Sequence, residues 1–424
     1  MGNKNTYRMK AGLKHIKRRK VLLIIPIIFL VMMVMITWKG IMFLRSLENA
    51  FAPNFFEWLL VIAMIEVSII GMMLILTILG TVKGGKIAEK RLLEVDFVDK
   101  KGETPYLVSK TKECNGYIYE FYSPRIPFWE YEKYRGEIET AMNIKIVSVE
   151  HGKDMQHVKI KAISMSDDLG GIIRWDNKFL SQEDFVLKLG KGYFGDVEFD
   201  LSIVPHVLIG GGSGSGKTVL LKLLLMECIY KGARVYIADF KGGIDYPKEW
   251  HEKCSMIIDA ESLLEQLTAI LEIMEDRRNK FVEVGACNIS EYNRITGADM
   301  RRIIFAFDEV SEALDQTGLD KEAKVVIQQI NSKISTIARQ GRAFGTHLIL
   351  AMQRPSSEIL NGQIKCNIGM RICGRADKIL SNIILEDGSA EEKISQTDQG
   401  MFLTNGNDLF KAYYVDEICL KGVI

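Results

Sequence analysis

Two long apolar runs, residues 21–38 and 59–82, stand apart from the rest of the chain. The first carries no charge and the second is broken only by Glu66, and each is long enough to cross a hydrocarbon layer of about 30 Å as a helix. From about residue 92 to 200 the pattern turns to short segments of β type, with alternation over 116–123 and 158–163 and one helix predicted over 131–142. Beyond that, β-branched apolar runs at 205–210, 233–240, 301–309, 346–353 and 369–374 alternate with helices predicted from Lys217, from Glu261 and from about Lys321. Continuous apolar strands between helices are the pattern of a parallel sheet covered on both faces, so the last part of the chain reads as an α/β core.

Charge sets the expected topology. Eight of the 55 Lys and Arg fall in the first twenty residues with no acid among them, so the other 404 residues carry 47 basic against 54 acidic side chains. Lys83, Lys86, Lys90 and Arg91 follow the second run, while the loop between the runs holds one Lys, one Arg and two Glu. By the positive-inside rule both termini face the cytoplasm, and the chain is a multi-pass protein of the cell membrane. A cleaved signal peptide is the rival reading of the first run, but its apolar region is too long and a second span follows. The basic segment suits topology and anionic lipid better than a DNA-binding arm. Glu66 at membrane depth suggests a polar contact between helices. Any nucleic-acid contact must be a local surface, since the net charge is only +1. The 424 residues divide into a basic cytoplasmic tail (1–20), a transmembrane hairpin (21–82), a small α+β adaptor domain (83–190) and the α/β core (191–424). Seven cysteines, at 114, 228, 254, 287, 366, 373 and 419, form no CxxC pair, which argues against a zinc site or a disulfide framework and suits a reducing cytosol.

One motif carries most of the chemistry. Gly211, Gly212, Ser213, Gly214, Ser215, Gly216, Lys217 and Thr218 satisfy GxxxxGK[ST] between a strand and a helix. Such a loop turns successive backbone N–H groups toward phosphates, and the helix N-terminus adds a favourable dipole. Lys217 is expected at the β- and γ-phosphates of ATP, and Thr218 on Mg²⁺. The strand 303–307 ends in Asp308 and Glu309, which places Asp308 for Mg²⁺ through water and Glu309 as the base or the group that orients the attacking water. Gln353, at the end of the strand predicted at 346–353, is expected to sense the γ-phosphate. His206 and His347 read as packing residues, as do Phe240, Tyr246 and Trp250.

At this point the chain resembles the FtsK/SpoIIIE DNA translocases and the related coupling ATPases of conjugative elements. The resemblance spans about residues 190–415 and rests on PHVLIGGGSGSGKT, ADFKGG, IIFAFDEVSEAL and, most specifically, ARQGRAFGTHLILAMQRP. It implies a RecA-like P-loop motor that assembles as a homo-oligomeric ring, usually a hexamer, around duplex DNA and hydrolyses ATP. It also implies an arginine supplied by the neighbouring subunit. Arg342, eleven residues before Gln353, matches that finger, with Arg339, Arg354 and Arg371 as competitors. Lys241 and Lys248 are candidate DNA contacts, although solvated loop charges explain them as well. No winged-helix module follows the motor, and no long Pro/Gln-rich linker precedes it. The resemblance is therefore strongest to the FtsK-type coupling protein of a Gram-positive conjugative plasmid or integrative element, with a relaxase and secretion-channel proteins as implied partners. The alternatives are a protein-secretion ATPase of the type VII kind, a chromosome-segregation translocase, and a scaffold in which ATP binding only controls assembly.

Overall fold

The structure, a computed structural model, describes residues 2–46, 53–164, 169, 171–353 and 362–416. The chain divides into two compact units at 167/168.

Three helices lead the first unit: α1 (Gly2–Arg18), α2 (Ile24–Ser46) and α3 (Pro53–Leu79). α2 and α3 pack together yet keep most of their apolar surface outside, with Ile28, Val34, Trp58 and Ile70 each more than 60% exposed. Counting the 3₁₀ turn before α2, the segments Lys20–Ser46 and Phe55–Leu79 are long and apolar enough to cross a membrane. The second helix ends at Leu79, short of the predicted residue 82, where Gly80 begins a turn. Glu66 is exposed midway along α3, outside the groove that Met64, Ile65 and Ser68 share with α2. The basic segment is more than a tail. It forms α1, which packs so closely on α3 that a Cβ at Gly12 would lie 2.1 Å from the Leu76 carbonyl. Arg8 forms a two-pronged ion pair with Glu89 at 2.6 and 2.7 Å, and the Tyr7 ring stacks on Tyr122 at 4.3 Å.

The same unit continues with α4 (Gly85–Glu94), β1 (Tyr106–Glu113), β2 (Gly116–Tyr122), α5 (Phe128–Lys133), α6 (Arg135–Met142), β3 (Ile144–His151) and β4 (His157–Ser164). The strands form an antiparallel sheet in the order β1-β2-β4-β3. Its inner face buries Tyr119, Phe121, Ile160 and Ala162 against Leu92, Tyr131 and Ile138 from the helices. The helix predicted over 131–142 is two helices, broken at Tyr134, where φ is −97° and ψ is 22° and where Gly136 weakens helix continuation.

The second unit contains β5 (Val186–Gly192), β6 (Gly195–Asp200), β7 (Val207–Gly210), α7 (Lys217–Tyr230), β8 (Arg234–Ala238), α8 (Lys248–Lys253), β9 (Ser255–Ile257), α9 (Ala260–Val284), α10 (Ile289–Thr296), β10 (Ile303–Phe307), α11 (Val310–Leu314), α12 (Lys321–Gln340), β11 (Thr346–Met352), β12 (Met370–Cys373), β13 (Met401–Thr404) and β14 (Leu409–Ala412). They form one ten-stranded sheet, β6-β5-β14-β13-β12-β7-β11-β10-β8-β9. From β12 to β9 the strands are parallel, as the apolar runs predict. The remaining four extend the sheet in antiparallel fashion, so it is mixed and not wholly parallel. The expected boundary at 190/191 falls inside β5, which pairs with β14; the strands at 186–200 belong to the large sheet.

α7 is apolar on every side and correspondingly buried, with Leu220, Leu221, Leu223, Leu224 and Leu225 all at 0% exposure. From β7 the chain crosses to β8 on one side, while β12 lies on the other. Such a reversal opens a crevice at the carboxyl ends of the strands, where ligands of open α/β sheets bind.

Candidate functional site

The phosphate-binding loop occupies that crevice, between β7 and α7. Gly216 adopts φ +97° to turn the chain into the helix, and a Cβ there would press to 3.3 Å on Gly400. No side chain caps α7. The first N–H groups of the helix therefore keep their hydrogen-bonding capacity for an anion.

Lys217, Asp308 and Glu309 meet at the floor of the loop. Lys217 Nζ donates to the Asp308 carbonyl at 2.7 Å and to Glu309 Oε2 at 3.2 Å, and all three residues are buried. The second Glu309 oxygen accepts the Ser311 hydroxyl, and Oε2 also accepts the backbone N–H of Gln353 at 2.8 Å. Gln353 thus reaches the predicted site at the end of β11, and the group that meets Glu309 is its main chain.

Thr218 Oγ1 donates to Asp308 Oδ1 at 3.4 Å. Asp308 Oδ2 is buried and has no hydrogen-bond partner among the described residues. Burial pushes the Asp308 carboxyl above its usual range, and the nearby Lys217 and Lys241 charges oppose that shift. Lys241 Nζ stands 3.8 Å from Oδ2, so this expected DNA-contact candidate borders the nucleotide site instead. Lys248 is solvated and pairs with Glu252 one turn on at 3.7 Å. An orphaned carboxylate oxygen beside a threonine hydroxyl is a hard-oxygen donor set that fits a mostly hydrated divalent cation such as Mg²⁺.

Arg342 lies elsewhere. It precedes β11, whereas Gln353 follows it, and a seven-residue strand separates them by roughly 23 Å. Its Nε donates to the Ser202 carbonyl at 3.1 Å, on the wall of a cleft of about 620 Å³ that also contains Arg278, Arg302 and Arg339. Arg371 is committed to Glu386 at 2.6 Å, and Arg354 lies outside the described residues. His206 and His347 brace this edge. The His206 Nδ1 accepts the Leu348 N–H and its Nε2 donates to the Ala338 carbonyl, while His347 Nε2 accepts from Arg302. Burial pushes the His206 imidazole down to about 4, and His347 is likewise held well below the usual range, so both stay neutral. Tyr246 and Trp250 are buried edge to face, as packing residues.

Sequence reasoning missed Ser311, Arg375 and Gly400, and gave Lys241 a different role, that of a DNA contact. Ser311 stands two residues beyond Glu309, close enough to flag as its partner. Arg375 and Gly400 come from distant loops, and neither stands out in the sequence as a site residue.

A parallel core with a phosphate-binding loop, its Lys–Thr pair and a strand-end Asp–Glu pair defines a P-loop ATPase. Residues 173–334 match the FtsK/SpoIIIE family, and the chain belongs to it. It is similar to the pCW3 conjugation coupling protein TcpA, solved as a monomer with ATPγS, at 31% identity and TM-score 0.59 over 80% of this chain and 96% of that one. It is also 29% identical to the DNA translocase SftA of Bacillus subtilis (strain 168) over 63% of this chain and 29% of that protein. The DNA translocase FtsK of Chlorobaculum tepidum is 30% identical over 50% of this chain and 27% of its own length. The chain thus spans under a third of the length of these two relatives.

Proposed function

We propose that this chain is a membrane-anchored, ATP-driven DNA translocase that works as a homo-oligomeric ring and acts as the coupling protein moving DNA to the channel in conjugative transfer. The observation that carries the reading is the placement of Arg342 and Lys217 at opposite ends of two adjacent parallel strands, Arg342 before β11 and Lys217 beyond β7. An arginine so far from its own phosphate loop is free to serve the loop of a neighbour, and a head-to-tail contact of that kind forms a ring where its rotation closes. A hexamer is the ring this reading takes. The DNA substrate, with the duplex favoured, and the conjugative role rest on the likeness to a conjugation coupling protein and to DNA translocases. Two helices fit for spanning and their basic flanks support a membrane anchor with both termini and the motor in the cytoplasm. A relaxase and the channel proteins are the partners such a role requires.

In this reading the loop of residues 211–218 cradles the phosphates of ATP through the N–H groups not already given to the Met352, Arg375 and Gly212 carbonyls, and Lys217 turns from Glu309 to the β- and γ-oxygens. Asp308 and Thr218 would hold Mg²⁺, which would offset the negative charge of those oxygens. Glu309, released by Lys217, orients the attacking water and accepts its proton. Gln353 sits beside it at the γ-phosphate end. Arg342 of the next subunit stabilises charge in the transition state.

The test is ATP turnover by the full chain in detergent, with linear duplex DNA, with single-stranded DNA and with none. Duplex-stimulated hydrolysis that weakens as salt rises is the expected result. A preference for single strands would move the substrate to single-stranded DNA. Turnover indifferent to DNA, in particles shown to be rings, would sink the translocase reading and favour protein secretion.

A further inference from the structure

In a loop whose N–H groups turn toward phosphates, the carbonyls turn outward and need donors of their own. Two of these carbonyls are met from far along the chain. Ser215 O accepts the Gly400 N–H at 2.8 Å, and Ser213 O accepts Nη2 of Arg375 in a short contact. Arg375 stands just beyond β12, and its own carbonyl accepts the Gly212 N–H at 2.8 Å. Its other terminal nitrogen, Nη1, donates to the Gln396 carbonyl at 2.7 Å. The guanidinium rests against the crest of the loop, since a Cβ at Gly214 would lie 3.1 Å from Nη2. The segment 395–400 that it holds is itself fixed to β14, through Ala412 N–H to Gly400 O at 2.9 Å and Lys411 Nζ to Gln399 O at 2.7 Å.

A peptide unit is planar and trans, so turning the Ser213 carbonyl toward Arg375 turns the Gly214 N–H the opposite way. We infer that Arg375 is a positioning residue for nucleotide binding, one that presets the Ser213–Gly214 peptide for phosphate and ties the loop to the segment 395–400. It contacts none of the residues assigned to hydrolysis. Its effect is to remove from the binding step the cost of ordering the loop. The planar fork matters because it reaches two carbonyls at once, and a lysine ammonium on a flexible stem holds such a pair poorly.

The full chain in detergent is compared as wild type, Arg375→Ala and Arg375→Lys for ATP and ADP binding, steady-state kinetics, melting temperature and amide exchange over 211–218. Removal of a charge-assisted hydrogen-bonding group weakens binding of both nucleotides roughly tenfold or more, raises KM in proportion and leaves kcat at saturating ATP unchanged. Amide exchange over the loop speeds up in Arg375→Ala without nucleotide, and Arg375→Lys is intermediate in affinity. Wild-type affinity in an Arg375→Ala chain that melts normally overturns the inference, as does a loss confined to kcat. Should Arg375→Ala not fold, Arg375→Lys decides: intermediate affinity supports the role and wild-type affinity overturns it.

Discussion

One carboxylate oxygen of Glu309 is shared by Lys217 Nζ at 3.2 Å and the Gln353 backbone N–H at 2.8 Å. The ends of β10 and β11 are thereby linked through the residue expected to face the attacking water. On the proposed roles Lys217 leaves this contact to serve phosphate, which would make nucleotide binding and release of Glu309 a single event. Lys217→Ala is expected to abolish measurable ATP binding, whereas Glu309→Gln keeps binding and lowers kcat by about 10² to 10⁴. Fluorescent-nucleotide titration beside phosphate release separates the two. Equal loss of binding in both variants would contradict these roles.

The distance of Arg342 from its own loop makes a prediction about mixtures. Arg342→Ala should lower kcat by about 10³ or more at unchanged ATP affinity. Lys217→Ala chains retain Arg342, and Arg342→Ala chains retain the loop. Co-assembled, they should recover a fraction of wild-type turnover that neither gives alone. If Arg342 served its own subunit, mixing would restore nothing.

Glu227 predicts a pH-dependent stability. It lies fully buried on α7, accepts the Lys188 N–H at 2.8 Å and the Trp175 indole at 3.2 Å, and burial pushes its carboxyl up to about 7. Because this value is raised, the folded chain holds a proton that the unfolded chain releases near 4.5. Stability therefore falls as pH climbs from about 4.5 through 7, and the loss is complete above it. Glu227→Gln removes the titration and keeps an acceptor for one of the two donors, since the Trp175 indole and the Lys188 N–H reach different carboxylate oxygens and an amide has one. Its stability relative to wild type should rise by up to about 3 kcal/mol between low pH and pH 8. Thermal melts at pH 5, 6 and 8 read this directly; a pH-independent difference would refute it.

Tyr7 predicts how firmly α1 is docked. Its hydroxyl lies 2.9 Å from His157 Nε2 and its ring stacks on Tyr122. Tyr7→Ala should free α1 and speed tryptic cleavage among its Lys and Arg residues, while Tyr7→Phe, which keeps the stack, lies between. A stacked aromatic pair contributes about 0.5–1.5 kcal/mol beyond its buried area, enough for a severalfold change in cleavage rate. An unchanged rate in Tyr7→Ala would show that the glycine contact with α3 suffices.

What the sequence disclosed follows from how far its signals reach. β7, β10 and β11 are runs buried on both faces, and β8 and β12 are buried over their last two residues, so apolar composition marks them, and the loop before α7 is a contiguous motif. β13 and β14 are four residues each and show no clear period, and β5 is interrupted by Gly190 and Gly192, which obscured the antiparallel half of the sheet and shifted the domain boundary. Arg375 is invisible for a different reason. Its partners, the Ser213 and Gln396 carbonyls, are main-chain atoms, and no side-chain pattern records which arginine a carbonyl faces. The pattern puts the middle helix at 131–142, three residues short of its start at Phe128, and misses its break, since a single residue in a non-helical conformation leaves the apolar spacing of Tyr131 and Ile138 intact.

β5 is bonded on one side to β6 and on the other to β14, more than two hundred residues later. During synthesis the β5–β6 hairpin must wait with an open edge until residues 409–412 have left the ribosome, long after both apolar helices have been made. The sheet closes last at the strand that also steadies Gly400 against the phosphate loop. A nascent chain halted before that point would carry every residue of the ATP motif and still lack the nucleotide pocket's final support, which ties the onset of ATP binding to the emergence of β14.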